Sequence, residues 1–320
     1  MASDVSLAIE KISRLLRNRF PSGYITRFAP SPTGYLHLGH IASMLIIEEV
    51  CSKSGGSAIL RIEDHDQSRA KQKFTKAIIE DLNYLGFSFA NADSFRDINK
   101  ISKDYCQSKK SEIYFKKLEQ LHTQRQLYHC NCTRLQIQNR LKSSPSRSLL
   151  YDNKCRREKS MGYEEFISKA KKNEFAIRYL IPSDKSQKMN EDPFQTDIPA
   201  PYLTASKYGD FVVFDKNNNF SYQFATVCDD IDQQINVVIR GQDLQDSTTR
   251  QISLHKSLGN TNIPEYFHHP LIYDDDGKKL SKRFLSTSVR DLLISQKKPS
   301  EIRKIALNLI KGRPQKDVVT

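Results

Sequence analysis

The sequence predicts an α/β fold of Rossmann type, a parallel sheet with crossover helices, split by a long insertion. Three observations predict it. Short apolar runs at residues 24–29 and 57–62 flank a helix-periodic segment at 41–53, the pattern of a βαβ unit. A turn holding Pro30, Pro32 and Gly34 joins the first run to that helix start, where free N–H groups and the helix dipole favour phosphate. Strand-like runs at 211–214, 222–227 and 235–239, then a helical pattern at 247–257, resume the alternation further on.

In chain order, residues 4–20 read as a basic amphipathic helix with Val5, Ile9, Ile12 and Leu16 on one face. No secretory apolar stretch with a small-residue cleavage site is present there. Asp4 and Glu10 distinguish the segment from a transit peptide, so residues 1–23 are expected as an added, packed helix. Residues 24–95 supply the first half of the sheet domain, with a helix at 74–85 ending near Gly86. The insertion spans 96–205. It is expected to be lysine-rich and largely helical from 94 to 128, then to pass a cysteine cluster and a polar loop at 142–159. Residues 206–260 return to the sheet domain, and 261–320 hold a basic loop and a helical C-terminus.

Fifty Lys and Arg against thirty-seven Asp and Glu leave a net charge of +13. Such an excess suits a polyanionic partner, and with nucleic acid would give salt-sensitive phosphate contacts. A merely basic soluble protein would carry the same balance. No apolar run nears the roughly 18 residues needed to cross a membrane. A cytoplasmic monomer without a membrane partner is expected.

Arg27-Phe28-Ala29-Pro30-Ser31-Pro32-Thr33-Gly34-Tyr35-Leu36-His37-Leu38-Gly39-His40 is completed far downstream by Lys279-Leu280-Ser281-Lys282-Arg283. His37 and His40 lie three apart at a helix start, so both rings can point to one side. Taken singly, the histidines also fit a helix cap or core, and the second stretch a solvated basic turn. Together and in this order they resemble the HIGH and KMSKS signatures of class I aminoacyl-tRNA synthetases. The resemblance implies that ATP with Mg²⁺ is a substrate. An amino-acid carboxylate attacks the α-phosphorus and pyrophosphate leaves. The protein then needs no nucleophile of its own, only positioning and stabilisation of charge on the phosphate oxygens. His37 and His40 would serve as hydrogen-bond donors and Lys282 as a cation, with Lys279 and Ser281 beside it on ATP.

A carboxylate side chain on the substrate wants a guanidinium, which grips it bidentately. Arg27 and Arg240 are the candidates. A substrate ammonium wants a carboxylate, and Glu63, in Arg61-Ile62-Glu63-Asp64, stands at a strand end where ligands bind in such sheets. Each also fits a structural ion pair. Together they resemble the glutamyl-tRNA synthetase pattern. There the stretch matching Arg27, Phe28, Ala29, Pro30 and Ser31, with the RxED stretch, holds glutamate, and Tyr222 matches the tyrosine that packs beside it.

Three of the six cysteines cluster, which suits metal more than a disulfide scaffold. Cys130, Cys132 and Cys155 with Tyr151 offer three thiolates and a phenol, enough to close a tetrahedral zinc shell. His129 is a rival fourth ligand, and three free thiols are the plainer alternative. The segments CNCTRLQIQ and YDNKCR resemble the zinc element of the glutamyl-Q tRNA(Asp) synthetases, in which a tyrosine completes a Cys₃ set. That implies one structural Zn²⁺ per chain.

The resemblance to that family of shortened glutamyl-tRNA synthetase relatives runs from about residue 24 to about residue 310. Only residues 284–320 follow the KLSKR stretch, too few for a helical anticodon-binding domain, so none is expected. The resemblance implies activation of L-glutamate without tRNA. It further implies transfer to queuosine at the wobble position of tRNA(Asp), with the anticodon stem-loop as partner. A truncated glutamyl-tRNA synthetase charging the 3′ end of tRNA(Glu) is the alternative. A non-enzymatic RNA-binding paralogue would show damaged ATP motifs, whereas both stand whole. Arg134, Arg156 and Arg157 are candidate phosphate contacts beside the zinc element, or solvated charge.

Overall fold

The computed structural model describes residues 2–97, 101–142, 151–157, 161–182, 192–194, 209–271 and 288–311. Helix α1 (Ala2–Arg19) leads into a βαβ unit of strand β1 (Tyr24–Phe28), helix α2 (Leu38–Ser54) and strand β2 (Gly56–Leu60). The strands run parallel, from Tyr24 opposite Gly56 to Phe28 opposite Leu60. Helix α2 starts earlier than its apolar period suggests, because His37 caps it. Helix α3 (Gln72–Tyr84) stops just before Gly86, whose φ of +75° suits a residue without a Cβ.

The described residues between 94 and 128 are less helical than their lysine content suggests. Three short 3₁₀ turns, Ala92–Phe95, Lys103–Tyr105 and Gln107–Lys109, precede helix α4 (Ser111–Thr123). Lysine favours helix, but residues 94–110 carry no continuous apolar stripe to dock one. Arg125, at φ +57°, turns the chain into strand β3 (Leu127–Cys130). Helices α5 (Arg134–Lys142) and α6 (Tyr163–Lys171) follow, then strands β4 (Ala176–Tyr179) and β5 (Phe211–Phe214). These strands form an antiparallel sheet in the order β3–β4–β5. The border expected at residue 206 thus separates β5 from the strand it pairs with.

The segment 222–227 is a correction. It lies in helix α7 (Tyr222–Asp232), not in a strand. Its aromatic and β-branched residues suit either, but the Ser221 hydroxyl accepts the Phe224 N–H at 3.4 Å and caps a helix. Phe224, Ala225, Val227 and Cys228 then share a helical face buried against the insertion core. Strand β6 (Val237–Gly241), helix α8 (Gln245–Ser257) and strand β7 (Glu265–His269) form a second parallel unit. The Asn236 N–H donates to the Ile25 carbonyl at 3.0 Å, and the Ile25 N–H to Asn236 Oδ1 at 2.9 Å. These bonds set β6 beside β1, so the strands lie in the order β2–β1–β6–β7. Helices α9 (Val289–Ile294) and α10 (Pro299–Lys311) complete the described chain.

Helix α1 belongs to this core. Ile9, Ile12 and Leu16 are buried in one cluster with Ile46 and Val50 of α2 and Ile302 and Ala306 of α10. Ion pairs Arg19–Glu265 and Lys53–Glu10 border the contact. Leu16 has no exposed surface. Leu16→Ala is therefore expected to cost about 3 kcal/mol, read as a lower urea midpoint at unchanged slope. No described helix is long and apolar enough to cross a membrane.

Candidate active site and metal site

A cavity of about 450 Å³ lies off the carboxyl ends of the parallel strands, where ligands bind in open α/β sheets. Arg27, Phe28, Ala29, Pro30, Ser31, His37, His40, Glu63, Tyr222 and Arg240 all line it. Every described residue expected to hold glutamate or ATP is thus in one wall. Lys279, Ser281 and Lys282 lie outside the described residues. Both flanks of their segment reach the cavity: Leu271 lines it, and Ser288 bridges to His37.

At the start of α2 the two histidines cap the helix reciprocally. His37 Nδ1 accepts the Gly39 N–H, and His40 Nδ1 accepts the His37 N–H, each at 3.1 Å. The ring centroids are 3.8 Å apart. A nitrogen that accepts cannot carry the proton, so each neutral ring bears it on Nε2. The cap therefore makes both histidines Nε2–H donors, the form a phosphate oxygen requires. His269 also lines the cavity. Its Nδ1 donates to the Pro270 carbonyl at 3.0 Å, so Nε2 takes the Ser43 hydroxyl proton at 2.9 Å. Burial holds His269 below its ordinary pKa, in keeping with a neutral ring.

Beneath the cavity floor lies a dry ionic cluster. Arg61 donates to Asp230 at 2.7 Å and to Glu63 at 3.2 Å, and Arg27 reaches Asp230 at 3.3 Å. Lys110 stands 2.9 Å from Asp229, which also accepts from Tyr114 at 2.9 Å and Gln107 at 2.8 Å. Burial favours the neutral acid at Asp230, but the Arg61 and Arg27 guanidiniums outweigh it and hold the carboxyl below its usual range. Three cations, Arg27, Arg61 and Lys110, thus face the nearly fully buried carboxylates Glu63, Asp229 and Asp230, and Lys110 also reaches the more exposed Asp232 at 2.6 Å. Helix α7 makes this possible: Tyr222, Thr226 and Asp229–Asp230 recur at helical spacing on the side facing β1 and β2.

Arg240 stands apart from that balance. It is 5% exposed, and among the described residues it forms no ion pair. Its Nη1 donates to Gln251 and its Nη2 to Thr248, both at 2.7 Å, while its buried Nε meets no acceptor. Thr248 is braced by His268 at 2.8 Å, and His268 by Asp192 at 3.1 Å. Neutral acceptors orient the guanidinium without cancelling its charge. Glu63 takes its bonds from Arg61 and from Thr226 (3.3 Å) on one oxygen, Oε1, and among the described residues nothing claims Oε2. Burial raises the Tyr222 pKa, so its hydroxyl stays protonated.

Arg61, Lys110, Asp229, Asp230 and His269 were not singled out from sequence. A signal existed for one pair: adjacent acids Asp229 and Asp230 in an apolar helical stretch are almost never buried unless paired.

The insertion brings Cys130, Cys132 and Cys155 together, their sulfurs within 4.8 Å of one another. Cys132 and Cys155 are 3.6 Å apart, and Cys130 lies 3.5 Å from the Tyr151 hydroxyl. Around a tetrahedral zinc, two sulfurs stand about 3.8 Å apart and a sulfur and an oxygen about 3.5 Å. The donor set fits such an ion. Tyr151 is buried, and its ring lies 3.6 Å from the Arg178 guanidinium. Burial pushes the Cys130 thiol up, yet hydrogen bonds from Tyr151 and Arg178 prevail and hold it below the ordinary thiol value. His129 lies one residue away with its ring against Phe175 at 5.0 Å. Of the arginines expected to meet phosphate, Arg156 is bound to Asp210 through two bonds at 2.5 and 2.7 Å, whereas Arg134 is exposed.

Residues 24–310 match the family model described as tRNA synthetases class I (E and Q), catalytic domain. The chain belongs to the class I tRNA synthetases of the E and Q type. The matched span coincides with the region over which the sequence carries the resemblance, and α1 precedes it. This class I chain is 34% identical over 262 residues to a glutamate–tRNA ligase of Mycoplasma capricolum, covering 80% of the chain and 52% of that protein. It is 35% identical over 262 residues to a glutamyl-Q tRNA(Asp) synthetase of Symbiobacterium thermophilum, covering 80% and 77%. A glutamate tRNA ligase from Elizabethkingia meningosepticum, crystallised with its amino acid, superposes with a TM-score of 0.59 at 26% identity, over 81% of the chain and 52% of that protein. The synthetase chain thus spans about half the length of the glutamate ligases it matches.

Proposed function

We propose that this class I synthetase activates L-glutamate with ATP and Mg²⁺ and transfers it to queuosine at the wobble position of tRNA(Asp). One observation carries the choice of amino acid. Arg240 is a buried, pre-oriented guanidinium that forms no ion pair among the described residues, whereas its buried neighbours Arg27 and Arg61 are paired with Asp230 and Glu63. Glutamate, a zwitterion with one extra carboxylate, supplies the missing charge. Its side-chain carboxylate takes Arg240 and Arg27, with Tyr222 alongside, and its ammonium takes Glu63 Oε2. The backbone from Phe28 to Ser31 forms the floor of the turn. The glutamate α-carboxylate then attacks the α-phosphorus, while His37 and His40 donate Nε2–H bonds to phosphate oxygens. Lys279, Ser281 and Lys282 are assigned to the departing pyrophosphate.

The choice of acceptor rests on two supports. The Cys₃–Tyr donor set matches the zinc element of the glutamyl-Q tRNA(Asp) synthetases. A Symbiobacterium relative of that name is 35% identical to the chain over 262 residues. Zinc would be held by Cys130, Cys132, Tyr151 and Cys155, and it would brace β3 against the segment at 151–157 without touching the reaction. One equivalent of zinc per chain is expected by atomic emission. Cys155→Ser should lose most of it and lower the melting temperature; zinc-free protein of wild-type stability would exclude the assignment. The catalytic function is tested by glutamate-dependent pyrophosphate exchange without tRNA, which should be present.

A further inference from the structure

We infer that His65 takes the proton of the acceptor hydroxyl when glutamate leaves the adenylate; this rests on the proposed function. His65 stands two residues beyond Glu63, where the chain leaves β2 for helix α3. Its ring centroid is 6.3 Å from that of Tyr222 on the cavity wall. Its Nδ1 lies 2.8 Å from Gln107 Oε1. Gln107 is buried, and its Nε2 donates to Asp229 at 2.8 Å. An amide whose nitrogen is committed to a carboxylate shows its carbonyl to the imidazole, so His65 Nδ1 must be the donor. The neutral ring therefore keeps its lone pair on Nε2.

His65 borders the cavity behind Tyr222, and the imidazoles that line the cavity offer no basic nitrogen. His37 and His40 spend Nδ1 as acceptors and present N–H, while His269 and His268 have Nε2 engaged by Ser43 and Thr248. Among the described residues nothing claims His65 Nε2. Its charged chain neighbours are committed elsewhere: Asp64 to Ser108, and Asp66 to Ser68 and Arg69. The inner end of the chain Asp229–Gln107–His65 is fixed by Lys110 and Tyr114, and the outer end is half-buried. This is the arrangement of a general base, a positioned imidazole with a buried carboxylate behind it. In the step, the acceptor oxygen bonds to the adenylate carbonyl carbon and its proton passes to Nε2. The carbon–oxygen bond to phosphate breaks, AMP leaves with that electron pair, and His65 later releases the proton to water.

The test compares single-turnover transfer from preformed enzyme–glutamyl-adenylate to tRNA(Asp) bearing queuosine, or to tRNA(Glu) if that is the acceptor used, with pyrophosphate exchange. The ratio of the two rates should fall about 100-fold in His65→Ala, the usual size of a general-base contribution. It should fall about tenfold in Gln107→Leu, which frees the tautomer. Added imidazole should restore part of the transfer in His65→Ala. An unchanged ratio, or a loss of transfer that imidazole does not repair, overturns the assignment. Absence of glutamate-dependent exchange in the wild type overturns the proposed function itself, and this step with it.

Discussion

Arg240→Ala is expected to lower kcat/KM for glutamate in pyrophosphate exchange by about a thousandfold, or about 4 kcal/mol. The reason is where the charge sits. Breaking a buried ion pair from one side costs this much because the other ion is left in a dry site, here the substrate carboxylate. Among the described residues Arg240 has no carboxylate partner, so its removal strands no buried protein charge and leaves only the neutral acceptors Gln251 and Thr248 short of a donor. Arg240→Lys should recover only a small part, since an ammonium cannot reproduce the fork aimed by Thr248 and Gln251. The ATP KM, measured in the same assay, should move far less than the glutamate KM. Equal shifts in both would place Arg240 on the nucleotide instead.

The second large effect falls on folding. Asp230 is 1% exposed and lies between Arg61 at 2.7 Å and Arg27 at 3.3 Å. Asp230→Asn keeps the shape and removes the charge, leaving two buried guanidiniums one carboxylate short. The expected loss is about 3–5 kcal/mol, a large fraction of the 5–15 kcal/mol typical of a whole domain (roughly). Its pH dependence identifies the cause. The folded pKa of Asp230 lies below its unfolded value, so its contribution is complete above about pH 4 and fades as pH falls through the folded pKa. The stability gap between wild type and Asp230→Asn should therefore be level from neutral pH to about pH 5 and narrow below about pH 4. A gap that widened on acidification would mean that Asp230 is not the ion holding these arginines.

Much of the site was legible because its residues are close in sequence. Arg27 to His40 is one strand, one turn and one helix start, so local rules placed Arg27, His37 and His40 together before any packing was known. The reciprocal histidine cap follows from the same spacing. Less was legible where distant segments decide. Residues 222–227 have the composition of a strand, and only packing against β1, β2 and the insertion core selects the helix that points Thr226, Asp229 and Asp230 at the RxED strand end. The pairing of β5 with β4 hid for the same reason: nothing local in Phe211–Phe214 says which sheet it joins. The cysteine cluster was readable because metal ligands recur at short spacing, whereas spacing alone did not choose between His129 and Tyr151 as a fourth donor, and only the resemblance named Tyr151. Tyr151 stands with the sulfurs, while the His129 ring packs against Phe175.

The central claim is the pairing of glutamate with an anticodon acceptor, and one assay addresses it most directly. Purified protein is incubated with ATP and labelled glutamate on three RNAs: tRNA(Asp) with queuosine, tRNA(Asp) without it, and tRNA(Glu). Label on queuosine-containing tRNA(Asp) alone is the predicted result, carried on the anticodon-loop fragment after nuclease digestion. Label on the 3′ end of tRNA(Glu) would contradict it and make the chain a compact glutamate–tRNA ligase.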